Sequence, residues 1–65
     1  MIVRRTRVEE LTAGQLIRLH GAAGPVGEVS GVAGDAAGRI RLRLVGGGEV
    51  LRRSGQLVWQ VDLRN

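Results

Sequence analysis

Between residues 39 and 44 the chain alternates a cation with an aliphatic side chain: Arg39, Arg41 and Arg43 interleave with Ile40, Leu42 and Leu44. On an extended backbone successive side chains point to opposite faces, so the three guanidinium groups stand in a row about 6.6 Å apart. Such a row can follow a phosphate backbone. Each guanidinium is a planar fork of donors that grips a phosphate at two points and can also stack on a base. Arg52 and Arg53 fall on the next extended segment and are expected to join the row. These five arginines are the candidate nucleic-acid ligands. The plain alternative is a solvated charged face, because all ten basic residues are Arg and the chain is rich in Gly, Ala and Val, the composition that GC-rich coding produces.

Other chemistry has fewer carriers. Trp59 is the single aromatic residue, and it alternates with Leu57, Val61 and Leu63, which reads as a core or interface position rather than a base-stacking platform. Binding would then rest on backbone contacts, with low sequence specificity. His20 has no second histidine with which to share a metal and reads as a turn residue beside Gly21. Ser30 and Ser54 lack the setting of a nucleophile. Of the carboxylates Glu9, Glu10, Glu28, Asp35, Glu49 and Asp62, only the first two are adjacent, and neighbours on an extended chain point apart. Cysteine and lysine are both absent, which excludes disulfides, thiolate metal sites, Schiff bases and the Walker phosphate loop. Gly21-Ala22-Ala23-Gly24 has the form of a KH-domain loop, but that loop must join two helices and here Pro25 and Gly27 follow. Gly46-Gly47-Gly48 could turn N–H groups toward an anion, yet no helix follows to add its dipole, so it reads as a hairpin tip. The expectation is a non-enzymatic chain with no cofactor and no metal site.

The elements that must position these residues are short. With 65 residues there is room for one domain, and the formal net charge of +4 and pI of 11.6 favour polyanionic partners. Arginines at 4, 5 and 7 are followed by no apolar stretch, so the N-terminus does not read as a signal peptide. No run reaches the roughly 18 apolar residues of a membrane span. No membrane partner is expected, and the expected location is the cytoplasm. Eleven glycines and one proline punctuate the chain at intervals that suit strands and tight turns. Extended segments are expected at Ile2 to Val8, Leu16 to His20, Val26 to Val32, Arg39 to Val45, Glu49 to Arg53 and Leu57 to Leu63, with Gly27 and Gly31 as bends or bulges. A competing helix from Val8 to Leu19 is interrupted by Thr12, Ala13 and Gly14. The fold class is therefore all-β, a small SH3-like antiparallel barrel of about five strands over residues 1–65, with residues 1–10 as an N-terminal arm or edge strand.

Gly14-Gln15-Leu16-Ile17-Arg18-Leu19 followed by Gly24-Pro25-Val26-Gly27-Glu28-Val29-Ser30-Gly31-Val32 resembles the KOW motif of ribosomal and NusG-type proteins. The likeness covers the first hairpin, with a shorter tip that lacks the family's lysines. It implies an SH3-like barrel with RNA or protein as partner. Gly21-Ala22-Ala23 with Gly27-Glu28-Val29-Ser30-Gly31 is similar to a hairpin of the plasmid-borne type II dihydrofolate reductases, which are SH3-like chains. The pore strand of that family carries Val-Gln-Ile-Tyr, whereas this chain has Val50-Leu51-Arg52-Arg53. That resemblance implies the fold and not the activity.

Two functions follow. One is a small module that contacts RNA or DNA backbone through Arg39, Arg41, Arg43, Arg52 and Arg53. The other is a protein-interaction or homo-oligomeric assembly module, such as an accessory subunit of phage or plasmid type, for which Ile2 and Val3 would form a strand in search of a partner sheet.

Overall fold

A computed structural model of the chain describes residues 1–63. It contains six strands: β1 Ile2–Arg7, β2 Leu16–Arg18, β3 Val26–Gly34, β4 Arg39–Leu44, β5 Glu49–Arg53 and β6 Leu57–Asp62, with a 3-10 turn over Val8–Glu10. Every pairing is antiparallel, and the strands form one sheet in the order β1-β6-β2-β3-β4-β5. The all-β expectation holds, with β1 as a sixth strand. The sheet is open, and β1 and β5 stand at its two ends. Among the described residues no helix is long and apolar enough to cross a membrane.

β3 belongs to both halves of the sheet. Val26, Gly27 and Glu28 pair with β2, whereas Val29 to Gly34 pair with β4. Between them the register slips, with Val29 opposite Leu44 and Gly31 opposite Arg43, so Ser30 is the extra residue of a bulge. A bulge bends its strand and raises the local twist. The bend lets both halves turn their inner faces onto one core of Val8, Leu11, Ile17, Val29, Ile40, Leu42 and Val58, with Leu19, Val32 and Val50 packed against it. The shortest extent of the molecule is 18 Å, enough for one layer of interdigitated side chains between two stretches of backbone about 10 Å apart.

Gly31 takes part in the expected bulge. Gly27 does not: it pairs regularly with Ile17 and lies close beneath the Leu19 side chain. β2 stops at Arg18, short of the expected His20, because Leu19 N–H donates to the Pro25 carbonyl (2.7 Å) and His20 takes a left-handed φ of 62°. The competing helix is reduced to the 3-10 turn. Val8 and Leu11 are its inward anchors, and Val8 N–H donates to the Gln56 carbonyl (2.9 Å).

Of the two positions expected for Trp59, core or interface, the core one does not hold. On β6 Val58 and Gln60 face the core, both 8% exposed, and Trp59 lies half-buried on the other face, where Val61 beside it in the alternation is covered as well, at 4%. The interior beside β6 is already occupied by Val8, Leu11 and Ile17, and a layer this thin has no space for an indole. Gln60 is tolerated there because its Oε1 accepts the Thr6 hydroxyl (2.8 Å).

The β2–β3 loop closes through Gly24, whose N–H donates to the Gly21 carbonyl (3.1 Å). A Cβ at Gly24 would run into the Leu19 carbonyl, whereas one at Gly31 would meet nothing within 4 Å. Gly24→Ala is expected to cost about 3 kcal/mol or more by backbone displacement, against a change within about 1 kcal/mol for Gly31→Ala. Urea denaturation of the two variants checks the contrast; equal midpoints would refute the close approach.

Candidate nucleic-acid interface

The candidate arginines sit on the half of the sheet beyond the bulge. On β4 the burial alternates as expected, with Ile40 and Leu42 buried and Arg39, Arg41 and Arg43 exposed. Cross-strand partners in an antiparallel pair share a face. Arg39 stands opposite Arg53, Arg41 opposite Leu51 and Arg43 opposite Glu49, so Arg53 joins the outer row. Arg52 does not. It pairs with Ile40 on the inner face, is half-buried, and its Nη1 donates to the Leu51 carbonyl (2.8 Å). Adjacent arginines on a strand must diverge, and the β4–β5 register assigns Arg53 to the row and Arg52 to the other side.

On the opposite flank of the row, β3 offers almost no side chain. Gly31 lies across from Arg43 and Ala33 across from Arg41. The result is a shallow trough. A depression of about 290 Å³ is lined by Gly31, Val32, Ala33, Arg41 and Arg43, and a smaller one of about 100 Å³ by residues that include Gly34, Asp35, Arg39 and Leu51. A backbone of phosphates laid along β3 would have the guanidinium row as one wall.

Two carboxylates temper this charge. Asp35 Oδ2 lies 3.0 Å from Arg39 Nε, and Glu49 Oε2 lies 3.0 Å from Arg41 Nε. Among the described residues Arg43 and Arg53 have no carboxylate partner. All of these groups are exposed, so each pair contributes little to stability and yields readily to a competing anion. Asp35 does more than pair. Its Oδ1 accepts the Ala37 and Arg39 N–H groups (2.9 and 3.0 Å), which shapes the β3–β4 turn and fixes where the row begins.

The sequence reading missed the arginines on the other half of the outer surface. Arg5 lies with its guanidinium carbon 5.2 Å from the centre of the Trp59 ring, a cation–π contact. Arg4, on the other face opposite Gln60, pairs with Asp62 at 3.6 Å. Arg18 donates from Nη1 to the Gly24 carbonyl (3.1 Å), while its Nε is buried with no partner. Alternation in the sequence could have placed Arg5 and Arg7 on one face, but the partner across the sheet is a long-range fact. Among the described residues no three of His, Asp and Glu gather as a metal site. The chain matches no family model, no curated protein and no solved structure.

The Arg39 N–H, and after it that of Ala37 and the Arg39 guanidinium, hold the Asp35 carboxyl below its ordinary pKa. Glu9 is likewise lowered, by its own N–H and by that of Gly55, which donates to Oε1 at 2.7 Å. A carboxyl whose folded pKa is depressed adds stability above its unfolded pKa and loses it as pH falls through the folded one. The stability lost in Asp35→Asn or Glu9→Gln is thus expected in full near neutral pH and to shrink to nothing in acid. Thermal melts from pH 7 to pH 2 check this; a difference that grew on acidification would contradict it.

Proposed function

We propose that this chain is a non-enzymatic binding module that contacts the nucleic-acid backbone through the outer face of β4 and β5. The supporting observation is the exposed row of Arg39, Arg41, Arg43 and Arg53 beside the side-chain-poor trough of Gly31 and Ala33. Arg41 and Arg39 are held by exposed carboxylates that a phosphate displaces, and Arg43 and Arg53 need no such exchange. Arg52 serves from the edge at most, since it belongs to the inner face. Contacts of this kind read charge and shape rather than base sequence. The fold reading that accompanies it is an SH3-like barrel left open between its first and last strands, with a KOW-like first hairpin in β2 and β3. It is supported by a single core enclosed by both halves of the bent sheet.

Replacing Arg39, Arg41 and Arg43 together by Ser is expected to weaken binding and flatten its salt dependence. The log–log slope should drop by about 0.7 per lost phosphate contact on single strands and about 0.9 on duplex DNA. Arg53→Ser should lower the slope and Arg52→Ser leave it nearly unchanged. Fluorescence anisotropy of labelled RNA and DNA between about 50 and 200 mM salt measures both; an unaltered affinity in the triple variant sinks the assignment.

A second reading is assembly with a protein or with another copy of this chain, of the accessory-subunit kind. It is favoured by the two end strands and by the exposed side chains of Ile2 and Val3 on β1. Sedimentation velocity is then expected to show concentration-dependent mass. A monomer at every accessible concentration leaves self-assembly without support.

A further inference from the structure

The half of the outer surface that does not carry the β4 row has its own pattern. On β1 and β6, Arg5 stands opposite Trp59, with Val3 opposite Val61 and Arg7 opposite Leu57. On the other side of β6, β2 pairs Leu16 with Val61 and Ile17 with Gln60. One step further in that register sets Arg18 across from Trp59. Leu16 and Arg18 share the outer face because Ile17 between them is buried. Arg5 and Trp59 are cross-strand partners, and the β2–β6 register, extended one residue beyond its last pair, brings Arg18 level with Trp59 on the other side, with strands about 5 Å apart. Arg5 is exposed and reaches the indole; Arg18 is half-buried, with Nη1 on the Gly24 carbonyl, Nε buried without a partner, and no ion pair to a carboxylate among the described residues. Leu57 and Val3 extend the apolar patch at 45% and 38% exposure. On the paired positions of this face Glu28 is the one carboxylate.

An aromatic ring flanked by cations on an apolar surface is complementary to a ligand that joins a flat π-system to negative charge. We infer that Trp59, with Arg5 and Arg18, is a stacking site for an unpaired base of single-stranded nucleic acid, the two guanidinium groups taking the flanking phosphates. The inference rests on the nucleic-acid reading of the β4 row and goes beyond it in naming the strandedness of the ligand and a second contact region. A duplex keeps its bases inside and offers this site only phosphates. An acidic protein segment offers carboxylates without a base.

Trp59 is the chain's single aromatic residue, so its fluorescence reports on this site alone. The full chain is titrated at low salt with a uridine oligonucleotide, a duplex DNA of equal length and poly-glutamate. The oligonucleotide is expected to quench Trp59, and the duplex and poly-glutamate to leave the emission nearly unchanged. Trp59 lies outside the core, so its variants test binding rather than folding. Trp59→Leu should weaken single-strand binding about five- to hundredfold and duplex binding hardly at all, with Trp59→Phe retaining most of the affinity. In the Arg39/Arg41/Arg43→Ser chain the quench should persist at higher oligonucleotide concentration. Equal quenching by duplex or by poly-glutamate overturns the stacking site. Single-strand binding with unchanged emission overturns it too, while leaving the β4 row intact. Absence of binding by either nucleic acid at low salt overturns both.

Discussion

The thinness of the interior governs the rest of this structure. A chain of 65 residues can enclose one layer of side chains, and here that layer is an aliphatic cluster of Val8, Leu11, Ile17, Val29, Ile40, Leu42 and Val58, with Gln60 as the buried polar residue among those described. A domain of this size buries only about 60% of the surface its unfolded chain exposes, so each core position must be filled by a side chain that fits without strain. Valine, leucine and isoleucine do. An indole does not, and the largest apolar side chain in the chain lies on the outside. The bulge at Ser30 follows from the same limit, since a flat sheet of these short strands would have nothing to close over. Bending β3 at one point makes a single interior out of two three-stranded halves.

Pushing chemistry to the surface leaves the functional groups arranged by strand pairing alone. Cross-strand register sets which arginines lie side by side. It makes a row of Arg39, Arg41, Arg43 and Arg53 on one half and sets Arg5 across from Trp59 on the other. In both places the neighbouring strand contributes what the cations lack: a trough free of side chains beside β4, and an aromatic ring beside Arg5. Two of the carboxylates serve turns. Asp35 shapes the β3–β4 turn, and Glu9 ties the 3-10 turn to the β5–β6 turn through Gly55 and Ser54. Their depressed pKa values come from backbone N–H groups first, which marks them as turn-forming groups before they are charge partners.

The end strands carry a related consequence. β1 is exposed along most of its length and holds Arg4, Arg5 and Arg7. Charged side chains on an end strand discourage pairing with an identical strand, because like charges would meet across the new ladder. The same charges favour an acidic partner.

Much of this was legible in the residues themselves. Alternation of Arg and aliphatic side chains at 39–44 determines a strand with one wet and one dry face, since the period of two is a local property of extended backbone. Glycines marked the strand-connecting loops for a similarly local reason, whereas the 3-10 turn at Val8–Glu10 carries none. What the chain could not reveal by itself concerns pairs distant in sequence. Arg52 and Arg53 are equivalent in composition, and only the register with β4 sends one inward and one outward. Leu57, Trp59 and Val61 are more apolar than Val58, Gln60 and Asp62, so burial by composition would turn the first set inward. The structure leaves Leu57 exposed and Trp59 half-buried, both outside the core cluster of Val8, Leu11, Ile17 and Val58, and of that set only Val61 is covered, at 4% exposure. Local periodicity decided which residues share a face, and the filling of one small interior decided which face is inside.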